Sequence, residues 1–122
     1  MIEFALVFLL LLILVVGALE GARAIWTYIT LAHAARDGVR YAMVRGGDDP
    51  VSTDDLEDYL LSKSPGLDSA SLDTELVWDP DSTVGGAVEV RLSYSFQFVA
   101  SPLFLAQSDL TLFTSSRMLI AN

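Results

Sequence analysis

The stretch Phe4-Ala5-Leu6-Val7-Phe8-Leu9-Leu10-Leu11-Leu12-Ile13-Leu14-Val15-Val16-Gly17-Ala18-Leu19 is a run of sixteen uncharged residues, nearly all Leu, Val, Ile, Phe or Ala. Strong helix formers dominate it, and no Pro occurs before Pro50. The pattern predicts one continuous helix from residue 1 to about 45, closed by the stop signal Gly46-Gly47 just after Arg45. At 1.5 Å per residue such a helix is roughly 65–70 Å long, well beyond the ~20 residues that cross a bilayer. Residues 1–20 are apolar all round. Residues 21–45 read as an amphipathic second half, with Ile25, Tyr28, Ile29, Ala32, Ala35, Val39, Ala42 and Met43 on the apolar face. Glu20, Arg23, Thr27, Thr30, Asp37 and Arg40 mark the opposite face.

Residues 46–122 change character. Gly46 to Thr53 has turn chemistry, and Asp54 to Ser62 reads as a short helix capped by Thr53 or Asp54, with Leu56, Tyr59 and Leu60 on one face. Ser64-Pro65-Gly66 ends it. Leu72, Thr74, Leu76 and Trp78 alternate with polar or exposed-type neighbours. The clearest period of two follows. Val88, Val90, Leu92, Tyr94, Phe96 and Phe98 point one way, and Glu89, Arg91, Ser93, Ser95 and Gln97 the other. Ala100 to Ser108 is a connector, and Asp109 to Ile120 a last strand. Three strands with turn-sized links predict a small antiparallel sheet with one buried face, covered by the second half of the long helix. The expected fold class is therefore α+β.

Charge is divided as unevenly as hydropathy. Residues 1–45 carry four Arg against three acids, or +1, whereas residues 46–122 carry three bases against thirteen acids, or −10. An acidic globular part argues against nucleic-acid binding, which needs basic surface to neutralise phosphates. The chain has no Cys and a single His, His33, so disulfides, thiol nucleophiles, His-pair zinc motifs and a Ser-His-Asp triad find no support. No catalytic, metal-binding or cofactor-binding constellation emerges, and the residues point away from an enzyme.

Three readings compete for residues 1–20. A cleaved secretory signal needs a positive n-region, but Glu3 sits where a base is expected. An ordinary transmembrane anchor places its flanking bases, Arg23, Arg36, Arg40 and Arg45, on the side of the acidic domain, against the positive-inside bias unless a basic leader is removed. The third reading is a helix that leaves the membrane after processing and packs against copies of itself. Glu3 then has a partner, the α-ammonium of Met1 on a neighbouring copy, and the pair acts as a register device beside Phe4. Small residues four apart support close helix packing: Gly17 with Gly21, then Ala34, Gly38 and Ala42. Glu20 with Arg23, and Arg36 and Arg40 with Asp37 between them, are expected to pair within the subunit or across to a neighbour.

Met1-Ile2-Glu3-Phe4-Ala5-Leu6-Val7, the apolar run, Glu20-Gly21-Ala22-Arg23 and Ala34-Ala35-Arg36-Asp37-Gly38-Val39-Arg40-Tyr41-Ala42 together resemble the TadE-like proteins, pilin-like subunits of tight-adherence (Flp-type) type IV pilus systems. The family pattern has a Glu-Phe-Ala start, an apolar helix, a Glu-x-x-Arg-like step and an Ala-Arg-Glu-Gly-x-Arg-Tyr-Ala signature. Asp37 stands where that signature has Glu, and the family's frequent Pro in the apolar run is absent, which implies a straighter helix. The resemblance implies cleavage by a prepilin peptidase, a stay in the cytoplasmic membrane, and assembly by a motor ATPase and a platform protein into a filament of many copies on the cell surface. It leaves open whether the chain is the main subunit or a minor pseudopilin that primes or caps another filament. From the residues alone, a single-pass membrane protein with an exported binding domain is the rival.

Other features have plainer explanations. Asp79-Pro80-Asp81 and Asp48-Asp49 lack the ligand spacing of a Ca²⁺ loop and read as solvated turns. Asp54, Asp55, Glu57 and Asp58 read as an exposed helix face. Trp78, Tyr94, Phe96, Phe98 and Phe104 read mostly as core.

Overall fold

One helix, α1 (Ile2–Val44), runs without interruption from the apolar segment into the domain it carries. It is followed by α2 (Thr53–Lys63) and three strands, β1 (Leu72–Asp79), β2 (Ala87–Gln97) and β3 (Asp109–Leu119). The computed structural model describes residues 1–47, 49–80, 82–98 and 109–120. The connector expected at Ala100 to Ser108, with Phe104, lies outside the described residues, as do Asp48 and Asp81.

The strands form an antiparallel sheet in the order β1-β2-β3. Its registers align the inward rows. Leu72 faces Tyr94, Thr74 faces Leu92, Leu76 faces Val90 and Trp78 faces Val88. Beyond them Tyr94 pairs with Leu112, Leu92 with Thr114 and Val88 with Met118. The period of two in β2 has the expected result: Val88, Val90, Leu92, Tyr94 and Phe96 are buried. Phe98 is half-buried and packs edge-on against Phe96, with ring centroids 5.2 Å apart. The second half of α1 lies over β2 and β3, while α2 packs on α1 and reaches the edge strand β1. Leu31, Ala34, Ala35, Val39 and Ala42 of α1 meet Leu56 and Leu60 of α2 and the inward side chains of the sheet in one core. The architecture is α+β, as the patterning implies.

Two local expectations are corrected. The face of α1 turned to the core is Thr27, Leu31, Ala34, Ala35, Gly38, Val39 and Ala42, whereas Ile25, Tyr28 and Ile29, assigned to that face from sequence, are exposed. The helix carries two apolar stripes, and the one rich in small residues is the one on which the sheet and α2 settle. Thr27 joins it at little cost because its hydroxyl donates to the Arg23 carbonyl one turn back, at 3.0 Å. The second correction concerns α2. Its cap is Ser52, whose Oγ accepts from the Asp55 N–H at 3.2 Å, so the helix starts at Thr53 and runs to Lys63.

The distal end of the domain is held by aromatic stacking and a loop clasp. Tyr41 of α1 and Tyr59 of α2 stack with centroids 4.1 Å apart, and the Arg45 guanidinium lies 3.8 Å over the Tyr41 ring. Gly47, at φ +102°, donates to the Ser82 carbonyl at 2.7 Å. That φ suits the stop signal expected just past α1.

Candidate functional site

The candidate functional surface is the part of α1 that the domain leaves bare. In the most apolar 18-residue window of the helix, nothing is buried. Met1, Phe4 and every other large apolar side chain from Ile2 to Val15 are exposed, and Glu3 is exposed among them. Phe4 and Phe8 stack loosely at 6.5 Å, one turn apart. A surface of this kind and length is unfavourable in water by about 25 cal/mol for each Å² of apolar area, so it requires a hydrocarbon or protein environment. A Cβ added at Gly17 or at Gly21 would meet nothing within 4 Å, so the backbone at both positions is open to close approach by another helix.

At the upper limit of this bare segment, Glu20 and Arg23 form a pair one turn apart, at 3.6 Å. Arg23 does more than neutralise Glu20. Its Nη2 donates to the Gln97 carbonyl at 2.5 Å, and its guanidinium sits 4.6 Å from the centroid of Phe96. One side chain therefore joins α1 to the end of β2, with its charge directed toward the sheet. Glu20 and Arg23, expected to pair within the subunit or across to a neighbour, pair within the subunit, and no pattern in the sequence linked Arg23 to Gln97, 74 residues away.

The small residues Ala34, Gly38 and Ala42, expected to receive a neighbouring helix, are instead buried in the chain's own core. Gly38 faces α2: a Cβ built there would lie 3.1 Å from Leu60 Cδ2 and 3.5 Å from Leu56 Cδ1. Small side chains permit close approach whatever the partner, and α2 occupies this stripe first. Arg36 and Arg40 lie on the opposite, exposed side with Asp37. Among the described residues no ion pair joins either Arg to an acid, so the pairing expected within the subunit does not occur there.

Three acids of the sheet's outer face, Glu75, Glu89 and Asp79, are engaged in ion pairs. Arg91 bridges Glu89, at 2.8 Å, and Glu75, at 3.7 Å, across neighbouring strands. The hydrogen bond from Arg91 holds the Glu89 carboxyl below the ordinary 4.5, and the same contact raises the Arg91 guanidinium above its ordinary value. Asp79 is held by Arg117 at 2.9 Å. A groove of about 630 Å³ beside Tyr28 is lined by Asp73, Glu75, Arg91 and Phe113; Glu75 and Arg91 are the pair described above, and Asp73 adds a further carboxylate.

Residues 1–40 match the family model described as TadE-like protein. No curated protein and no solved structure matches the chain. The match covers the bare segment, the Glu20–Arg23 step and most of the helix face on which the domain rests. With the apolar helix, it fits a membrane-anchored protein associated with a Tad pilus.

Proposed function

We propose that this chain is a pilin-like subunit which is held in the cytoplasmic membrane by α1 and then polymerises through that helix into a Tad-type filament. The observation that carries the reading is the bare segment of α1, apolar on every side and untouched by the domain it supports. An anchor alone needs only to be apolar. This helix adds a carboxylate, Glu3, near its start and open backbone at Gly17 and Gly21. In a stack of copies Glu3 meets the α-ammonium of a neighbour, and the glycines let helices approach closely. Burying on the order of 1,000 Å² of apolar surface per subunit contributes tens of kcal/mol gross at ~25 cal/mol per Å², before the ordering and association costs. The strongly acidic domain then lines the outside, where like charge keeps a crowded surface soluble. A prepilin peptidase, a motor ATPase and a platform protein are the partners the family resemblance supplies.

Mass analysis of the protein in a sheared surface fraction tests this. The expected result is a newly cut N-terminus and recovery in fibres, with G17L and G21L lowering fibre yield while leaving the domain folded. Uncut protein that stays in the membrane fraction and forms no fibres refutes it.

A further inference from the structure

The bare surface of α1 does not stop where the apolar run stops. Ile25, Trp26, Tyr28 and Ile29 keep 62%, 54%, 47% and 49% of their surface exposed, although they lie alongside the domain. Leu19, Ala22, Trp26 and Ile29 follow one another at three- and four-residue steps, so the apolar line climbs one side of the helix for about two turns past Glu20. The α1 charge at this level, Arg23, is turned toward the sheet, while Tyr28 borders the groove that carries Asp73, Glu75 and Arg91. Arg23 is taken up by Glu20, by the Gln97 carbonyl and by the Phe96 ring. Trp26 is at the margin, with the tip of its indole against Gly66 in the turn after α2, so that a Cβ there would come within 3.1 Å of it.

Counting 1.5 Å per residue, Ile2 to Gly21 matches the ~30 Å of a bilayer's hydrocarbon core. Ile25 to Ile29 then lie about 6–12 Å beyond it, at the level of the interfacial layer, where Trp and Tyr rings with one apolar side and one polar tip accumulate. Building on the reading of α1 as a membrane anchor, we infer that the unassembled subunit sits flush on the lipid, with Ile25, Trp26, Tyr28 and Ile29 seated in the interfacial layer and the Gly66 turn resting at its surface. The lipid that fits is zwitterionic. Residues 46–122 sum to −10, from three bases and thirteen acids, so an anionic headgroup layer would repel the domain.

The two tryptophans make this measurable. Trp26 is at the base of the domain, near the Gln97 end of β2, whereas Trp78 pairs with Val88 toward the other end of that strand. Val88 and Gln97 are nine steps apart along the strand, about 30 Å at the usual rise. The full chain is reconstituted at low density in phosphatidylcholine vesicles whose acyl chains are brominated near the glycerol end. In W78F, which retains Trp26, the emission is expected to be blue-shifted, to lose most of its intensity to the bromolipid, and to resist aqueous iodide. In W26F, which retains Trp78, bromolipid should have little effect; this variant serves equally if W78F fails to fold, because the bromine-sensitive part of the wild-type emission should vanish in it. Trp26 that is quenched by iodide and untouched by bromolipid overturns the inference while leaving the anchor intact, as shown by co-flotation with vesicles. Blue-shifted emission insensitive to both quenchers also overturns it, since another copy then covers the stripe. Failure to float with vesicles removes the anchor reading as well.

Discussion

Gly38 and Leu60 should be energetically coupled, and the sign of the coupling follows from the space between them. In a helix interior, Gly→Ala ordinarily gains about 0.5–1 kcal/mol. At Gly38 the added methyl comes within 3.1 Å of Leu60 Cδ2, so Leu60 must shift by a few tenths of an ångström in a core where it is fully buried. The strain offsets the helical gain, and G38A in the wild-type background is expected to be neutral or mildly destabilising. L60A alone removes a buried leucine and should cost about 2–5 kcal/mol. In the double variant the contact nearest to the new methyl is Leu56 Cδ1, at 3.5 Å, an ordinary distance. G38A should then recover its helical gain and fill part of the cavity, stabilising the L60A protein by about 1–2 kcal/mol. The interaction energy expected is of the same size, about 1–2 kcal/mol in favour of the pair. The assay is thermal unfolding of the full chain in detergent, followed by near-ultraviolet circular dichroism of the tyrosine stack and Trp78. For a domain of this size each kcal/mol moves the midpoint by roughly 4–8 °C. If G38A raises the midpoint equally in both backgrounds, the close approach of α1 to α2 at Gly38 is wrong.

Ser52→Ala should destabilise the domain by about 1 kcal/mol through loss of the α2 cap, and hydrogen exchange at the Asp55 amide should accelerate first. Thr74→Val should raise the thermal midpoint by the equivalent of about 1 kcal/mol, because Thr74 Oγ1 is buried without a hydrogen-bond partner among the described residues; a lower midpoint would show that the hydroxyl is satisfied. Glu89 is held below its ordinary 4.5 in the folded chain, so its contribution to stability is present above the unfolded value and lost as pH falls through the lowered folded one. In R91A the Glu89 titration, followed by NMR, should move back up toward 4.5 and that acid-side contribution should disappear; an unchanged titration refutes the assignment to Arg91.

Much of this architecture could be read in the residues. The unbroken α1 follows from the absence of Pro before Pro50, and its end from Gly46-Gly47, with Gly47 in the left-handed region. The inward row from Val88 to Phe96 follows from strict alternation. The features that escaped are those set by tertiary competition. A helix with two apolar stripes gives no local signal of which one its own domain will cover, and Thr27 was assigned to the wrong side because its hydroxyl counts as polar until it bonds the Arg23 carbonyl. Ala34, Gly38 and Ala42 announce close packing without naming the partner, which proved to be the chain's own core, with α2 against Gly38. The Arg23–Gln97 contact depends on where β2 ends relative to the helix. Arg45 over Tyr41 was within reach of sequence reasoning, being four apart on one helix.

The uninterrupted backbone of α1, clamped by Arg23 at one level and by the tyrosine stack at another, has a mechanical meaning. There is no hinge between the bare rod and the body it carries. When the rod is drawn upward by a few ångströms or turned about its long axis, the body must rise and swivel by the same amount. Torque applied at the foot is therefore passed on to the acidic outer sheet, and in the proposed fibre the compass bearing of that sheet follows from how the rods nest below.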